Sequence, residues 1–428
     1  MKTPSMRGCG CWPSIAGRPT RSPSAGGDGL RSSRGQRADR RPPRRIVRPS
    51  RGYDVRVTFD ATAIGRRPSG TRTRILGLVP RLLDRSVAVR IVCNQGTFGD
   101  APEMARAEFI TPPRGLRGSG YLTRWLRGRF GFGAPEHTDD RLVVDCFPWP
   151  GGAGSVGVIH DLRHLDEPGW RGRIARRVIR RGMESVGQIH VVSEATRDRL
   201  AREYPDMDTP VHVVPNGVDA SMFSPGDPEG TDLPTLRDRR LAPLSYLLCV
   251  GHLEARKAPD IGLAVRVGLA MRGIDQPIVF VGKGPFLPEE SLAFLRADYP
   301  RQEIGRVLRD VDTVDLPALY RNAACVIAPA REEGFGMAPL EALACGAPVV
   351  ASDLPAHREV LGDAARLCRT DDVAAFTTAV LDVIEGRDDA RLRAAGPSRA
   401  ANWTWDRAAD AFMATTTASA RSPMGPGK

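Results

Sequence analysis

From Tyr53 onward, short β-branched apolar runs alternate with longer stretches in which apolar residues return every three or four positions. Continuous apolar runs suit strands buried on both faces, and intervening helices are what parallel neighbours need as crossovers. In the first half the pattern predicts strands at 55–59, 87–92, 142–145, 156–160, 188–192 and 211–214, with helices around 72–83, 171–184 and 194–204. The polar stretch 224–243 is rich in Pro and Asp and shows no clear period, so it reads as an interdomain linker. A second series follows: strand 246–250, helix 258–271, strand 278–281, helix 316–322, strand 325–328, helix 337–344, strand 347–351 and helix 373–385. The expectation is an α/β protein of two doubly wound, Rossmann-like domains facing a central cleft, at 53–223 and 244–399, with a helix at 400–418 after Trp403-Thr404-Trp405-Asp406.

A length of 428 residues agrees with two cores rather than one. No apolar run approaches the roughly 18 to 20 residues that cross a bilayer. The formal charge of +12 suggests a nucleic-acid or membrane binder until it is located. Residues 1–51 hold 13 Lys/Arg against only Asp28 and Asp39, a net +11, so the remaining chain is almost neutral and binding to nucleic acid is not expected. Segments 1–52 and 419–428 read as disordered, because neither offers a sustained apolar period to offset ordering entropy. The basic segment has three readings: a start codon lying downstream of it, a tether to an anionic surface, or a transit peptide. It lacks the apolar core of a secretory signal. Eight cysteines occur without a C-x-x-C pair, several inside apolar runs such as Leu248-Cys249-Val250. Both features point to the cytoplasm, with peripheral contact at the inner membrane face as a further expectation.

The most informative segment is Arg331-Glu332-Glu333-Gly334-Phe335-Gly336-Met337-Ala338-Pro339-Leu340-Glu341. Two carboxylates stand eight apart across a glycine loop that opens a helix, and Gly346 with Pro348 stops that helix. Free N–H groups at its start suit a phosphate, and carboxylates suit sugar and ribose hydroxyls. Glu341 is expected in the first turn and Glu333 just before it, both facing one rim. The plainer alternative is a capped helix with Glu333 as a solvated acid. Upstream, Gly251-His252-Leu253-Glu254-Ala255-Arg256-Lys257 places two cations together after a buried strand. In the first half, Val158-Ile159-His160-Asp161 ends a strand with a His-Asp pair, which by itself is more often structural than catalytic.

Together with Leu319-Tyr320-Arg321-Asn322-Ala323-Ala324, Ala344-Cys345-Gly346-Ala347-Pro348 and Pro215-Asn216-Gly217, these segments follow one another in a known order. Across about residues 53–412 the chain resembles family 4 of the retaining glycosyltransferases, of the GT-B fold. Its E-x7-E element is matched by Glu333 and Glu341. The resemblance implies that Glu333, Lys257, Arg256 and His160 act on the donor sugar and its diphosphate. It also implies donor contacts at Gly334, Phe335, Gly336, Met337, Glu341, Gly251 and, from the loop after the first strand, Gly70, with Glu341 on the nucleotide ribose. Gly282-Lys283-Gly284 would form a turn beside the nucleobase, and the terminal helix would return to the first lobe. Two segments depart from the family pattern: Thr71-Arg72-Thr73-Arg74, where a Gly-aromatic pair is usual, and His357-Arg358-Glu359, where Leu-Pro-Glu is frequent.

The implied activity is transfer of a hexose, mannose or similar, from a nucleotide-diphosphate sugar to a hydroxyl of a glycan or lipid-linked acceptor, with retention. GDP-mannose is the first expectation for the donor and a UDP-sugar the second. No other cofactor and no metal are expected, because the two cations already supply positive charge at the leaving diphosphate. The alternatives are a nucleotide-sugar epimerase, a sugar phosphorylase of the same fold, or a non-catalytic nucleotide-sugar-binding subunit.

Overall fold

The computed structural model describes residues 56–65, 69–98, 101–112, 140–144, 154–227, 230–284 and 304–418. The expectations for the two terminal tails, for Asp145 and for three of the eight cysteines, Cys9, Cys11 and Cys146, lie outside the described residues. Seven parallel strands make the first sheet: β1 (Arg56–Asp60), β2 (Ala88–Val92), β3 (Glu108–Ile110), β4 (Asp140–Val144), β5 (Ser155–Ile159), β6 (Gln188–Val191) and β7 (Val211–Val213). Their spatial order is β3-β2-β1-β4-β5-β6-β7. Six more, β8 (Leu247–Val250), β9 (Ile278–Val281), β10 (Gly305–Leu308), β11 (Cys325–Ala328), β12 (Val349–Ser352) and β13 (Arg366–Cys368), make the second, ordered β10-β9-β8-β11-β12-β13. Strand order therefore reverses between β1 and β4 and between β8 and β11. In open α/β sheets, ligands bind outside the carboxyl ends of the strands at such a reversal.

The first sheet carries α1 (Gly70–Asp84), α2 (Trp170–Glu184) and α3 (Glu194–Glu203). The second carries α5 (Pro259–Ala270), α6 (Leu316–Arg321), α7 (Met337–Ala344), α8 (Pro355–Leu361), α9 (Val373–Ile384) and α10 (Asp389–Ala400). The last helix, α11 (Trp405–Ala418), lies on the first sheet's side: Trp405, Ala408, Ala409 and Phe412 are buried with Phe59, Ile75 and Leu78. The Phe412 ring stacks on Phe59 at 6.0 Å.

The stretch 224–243 is not a patternless linker. It contains α4 (Asp232–Asp238), whose first turn is capped by the Asp227 carboxylate accepting from the N–H groups of Thr231 and Asp232. Asp232 accepts from the Arg321 guanidinium and from Asn322, and Leu236 is buried in the second lobe's core. Seven residues are too few for a helical period to stand out. The Thr71 to Arg74 departure also has a structural reason. Arg74 is buried and donates to Val214 O, Pro215 O and Asn216 Oδ1, fixing the Pro215-Asn216-Gly217 turn, and Arg72 donates to Thr97 O while lying over the Phe98 ring.

Candidate active site

The site forms at the switch point between β8 and β11. After β8, the chain passes Gly251 into a short turn at Ala255–Lys257, and Ala258, with a left-handed φ of 49°, redirects it into α5. After β11, the loop reaches Gly336, which caps α7 with φ +95°. Arg331 joins the two loops. Its N–H donates to Arg256 O at 2.7 Å, and its guanidinium bonds Ala255 O, Asp260 and Asp371. Nothing in the local sequence marks this role, because every partner is distant in the chain.

Both cations converge on Glu333. Lys257 Nζ donates to Glu333 Oε1, and Arg256 Nη1 lies 3.8 Å from Oε2 while its Nε donates to Glu254 at 3.0 Å. The Glu333 side chain is only 10% exposed. Burial by itself would raise its pKa, but Lys257, His357 and Arg256 outweigh burial and hold the carboxyl below its ordinary range. A pocket beside this cluster is lined by Gly251, His252, Lys257, Glu333, Ala338 and Pro339. A half-buried cationic pair beside a helix N-terminus is an arrangement that can hold an anion and stabilise growing negative charge.

Across from it, the first lobe meets the loop directly. A Cβ on Gly334 would collide with the carbonyl oxygen of His160 at the end of β5. The Gly334 carbonyl accepts from Ser193 Oγ at 2.6 Å and Thr196 Oγ1 at 3.2 Å. Glu332 pairs with Arg199, and the Glu359 carboxylate accepts the N–H groups of Glu194 and Ala195 at 2.9 Å each. These cross-lobe partners are not legible as a set in the sequence. Glu359 stands out there only within the His357-Arg358-Glu359 departure, and nothing in its spacing pairs it with Glu194 or Ala195.

Other candidates fall differently. Phe335 is 3% exposed and packs edge-on against Trp403 at 5.3 Å, so its side chain belongs to the core and only its backbone faces the loop. Met337 is half-buried and packs against the cores of both lobes. Glu341 lies in the second turn of α7 rather than the first, is 9% exposed, and accepts from Tyr320 Oη at 3.0 Å. Burial pushes its carboxyl up to about 7, opposed by the Tyr320 hydrogen bond and Lys257. Gly70 opens α1, where Ser69 caps the helix, with open space around it. Lys283 pairs with Asp310, and its carbonyl meets His252 Nδ1 at 3.1 Å.

Residues 68–222 match the family model described as Glycosyltransferase Family 4, and residues 245–386 match that of Glycosyl transferases group 1. The chain belongs to glycosyltransferase family 4. It is 32% identical over 255 residues to a GDP-mannose-dependent alpha-(1-6)-phosphatidylinositol monomannoside mannosyltransferase of Mycolicibacterium smegmatis, covering 56% of this chain and 65% of that protein. It is 31% identical over 261 residues to a D-inositol 3-phosphate glycosyltransferase of Geodermatophilus obscurus, covering 55% of each. The chain thus spans between about half and two thirds of the length of these curated relatives. Among solved structures, a sucrose-phosphate synthase of Thermosynechococcus elongatus superposes with a TM-score of 0.67 at 16% identity, over 86% of this chain and 100% of that one. An Anabaena HepE protein in complex with UDP gives 0.64 at 16% identity, over 85% and 100%. The likeness to these structures is one of fold, the two-lobed GT-B architecture.

Proposed function

We propose that this chain transfers a hexose from a nucleotide-diphosphate sugar to a hydroxyl of a glycan or lipid-linked acceptor, with retention at the anomeric carbon. GDP-mannose is the first choice of donor and a UDP-sugar the second. The observation that carries the reading is the meeting of Arg256 and Lys257 with Glu333 at the mouth of α7. The mannosyltransferase relative supports the choice of donor.

In this reading the diphosphate binds between the two cations and the first amides of α7, drawing Lys257 away from Glu333. The freed carboxylate then accepts sugar hydroxyls. As the bond from the anomeric carbon to the diphosphate breaks, negative charge grows where Arg256, Lys257 and the helix N-terminus stabilise it. The acceptor oxygen bonds to the anomeric carbon from the same face, and its proton passes to the departing diphosphate. His160, beside Gly334, closes the sugar pocket from the first lobe and limits hydrolysis. The two cations supply the charge a divalent ion would bring, so the reaction is proposed to run without one.

Thermal-shift measurements with GDP, UDP, GDP-mannose and UDP-glucose rank the donor, since a ligand at 100 times its Kd stabilises by about 2.7 kcal/mol. Lys257→Ala is expected to lower kcat about 100- to 1,000-fold with the fold retained by circular dichroism. Turnover equal to wild type in that variant removes the reading.

A further inference from the structure

Helix α2 turns outward a face that the described parts of the protein leave uncovered. Its inner side is set by the buried Gly172, Ile179, Gly182 and Met183. On the opposite side Trp170 and Ile174, one turn apart, are 62% and 53% exposed. Arg173, Arg177 and Arg181 stand exposed on that same side, at the three- and four-residue spacings that align side chains along a helix. Arg176 and Arg180 are held by Glu203, Glu184 and Asp206. Among the described residues, no ion pair joins Arg173, Arg177 or Arg181 to a carboxylate.

One exposed apolar residue is ordinary. Trp170 is met by the Arg171 guanidinium, 5.6 Å from its ring centroid, so a tryptophan and an isoleucine a turn apart stand among exposed arginines, three of which no carboxylate pairs among the described residues. Guanidinium groups match phosphate oxygens in bidentate fashion, and indole rings settle at the level of lipid headgroups. The loop leaving β5 after His160 leads into Trp170, which places this end of α2 at the carboxyl side of the first sheet, toward the site.

We infer that α2 docks the protein on an anionic membrane surface, with Trp170 and Ile174 among the headgroups and Arg173, Arg177 and Arg181 on lipid phosphates. This goes beyond the proposed transfer and is measured without any donor, so the two readings fail separately. The basic residues 1–51 would be drawn to the same surface. Variants are therefore compared in the full chain, where that segment is constant.

Co-sedimentation with phosphatidylcholine vesicles, and with vesicles containing phosphatidylglycerol, tests the inference. Wild type is expected to bind the anionic vesicles and to weaken as salt rises. Combined Arg173→Gln, Arg177→Gln and Arg181→Gln should lower the partition coefficient at least about tenfold, since each surface cation contributes roughly fivefold. Trp170→Ser with Ile174→Ser should lower it several-fold at unchanged melting temperature. Unchanged partition in both variants, or equal binding to neutral vesicles, overturns the inference. So does concentration-dependent dimerisation that both variants abolish without affecting vesicle binding, because the face would then serve a second copy of the chain.

Discussion

Ser193 ties the two lobes together at Gly334: its hydroxyl donates to the Gly334 carbonyl at 2.6 Å while accepting the Thr196 N–H at 3.0 Å as the cap of α3. One buried side chain therefore caps a helix in the first lobe and holds the glycine loop beside Glu333 in the second. Ser193→Ala should cost about 1 to 2 kcal/mol, combining a lost cap with a weakened carbonyl partner. Urea unfolding measures that loss, and donor titration should show weaker binding beside it. A stability loss with donor affinity intact would mean that the loop does not depend on this bond.

Glu359 makes the reciprocal contact, accepting the first two amides of α3 from the second lobe. Glu359→Ala leaves those amides without their carboxylate at the positive end of a helix, at an expected cost of about 1 to 2 kcal/mol. Because the contact crosses between lobes, the variant should also open more readily. Small-angle scattering would show a larger radius of gyration than wild type, and an unchanged radius would confine Glu359 to local capping.

The parts legible in the sequence share a physical cause. β8, β9, β11 and β12 are buried on both faces, so their apolar runs are continuous. The edge strands β3, β10 and β13 do not stand out, because they are short and carry exposed or charged residues, as with Glu108, Arg306 and Arg366. Arg256, Lys257 and Glu333 can be singled out because each stands just past a buried strand. Arg331, Arg199 and Tyr320 cannot be paired with their partners, since spacing along one strand or helix does not report contacts between distant loops.

Glu341 supplies a pH test. Its folded pKa is raised to about 7 by burial, so its protonated form contributes stability that is fully present below the ordinary carboxylate value and lost as pH rises through about 7. If the ionised carboxylate accepts the donor's ribose hydroxyls, donor affinity should increase as pH rises toward 7, by up to about tenfold per unit. Isothermal titration from about pH 5.5 to 8 checks this, and Glu341→Gln should flatten the profile. A flat wild-type profile would place the ribose elsewhere.

His357 departs from the Leu-Pro-Glu pattern and lies fully buried beneath the mouth of α7. Its Nδ1 meets the Ser352 carbonyl at 2.8 Å, which assigns the proton to Nδ1, and a Cβ on Gly336 would approach its Nε2 at 3.2 Å. Burial lowers its pKa more than the facing Glu333 raises it, so the folded chain holds the ring neutral. The stability this contributes is present above about 6.5 and is lost as pH falls toward the lower folded value, because the unfolded chain takes the proton first. His190 is buried and shifted the same way, so it leaves a residual slope in any variant. His357→Leu should therefore reduce the loss of stability between about pH 7 and 5.5, by up to about 1.4 kcal/mol for each unit of pKa difference removed within that range. Denaturant unfolding of both proteins at the two pH values measures it, and identical slopes would show that this ring does not govern acid sensitivity at the site.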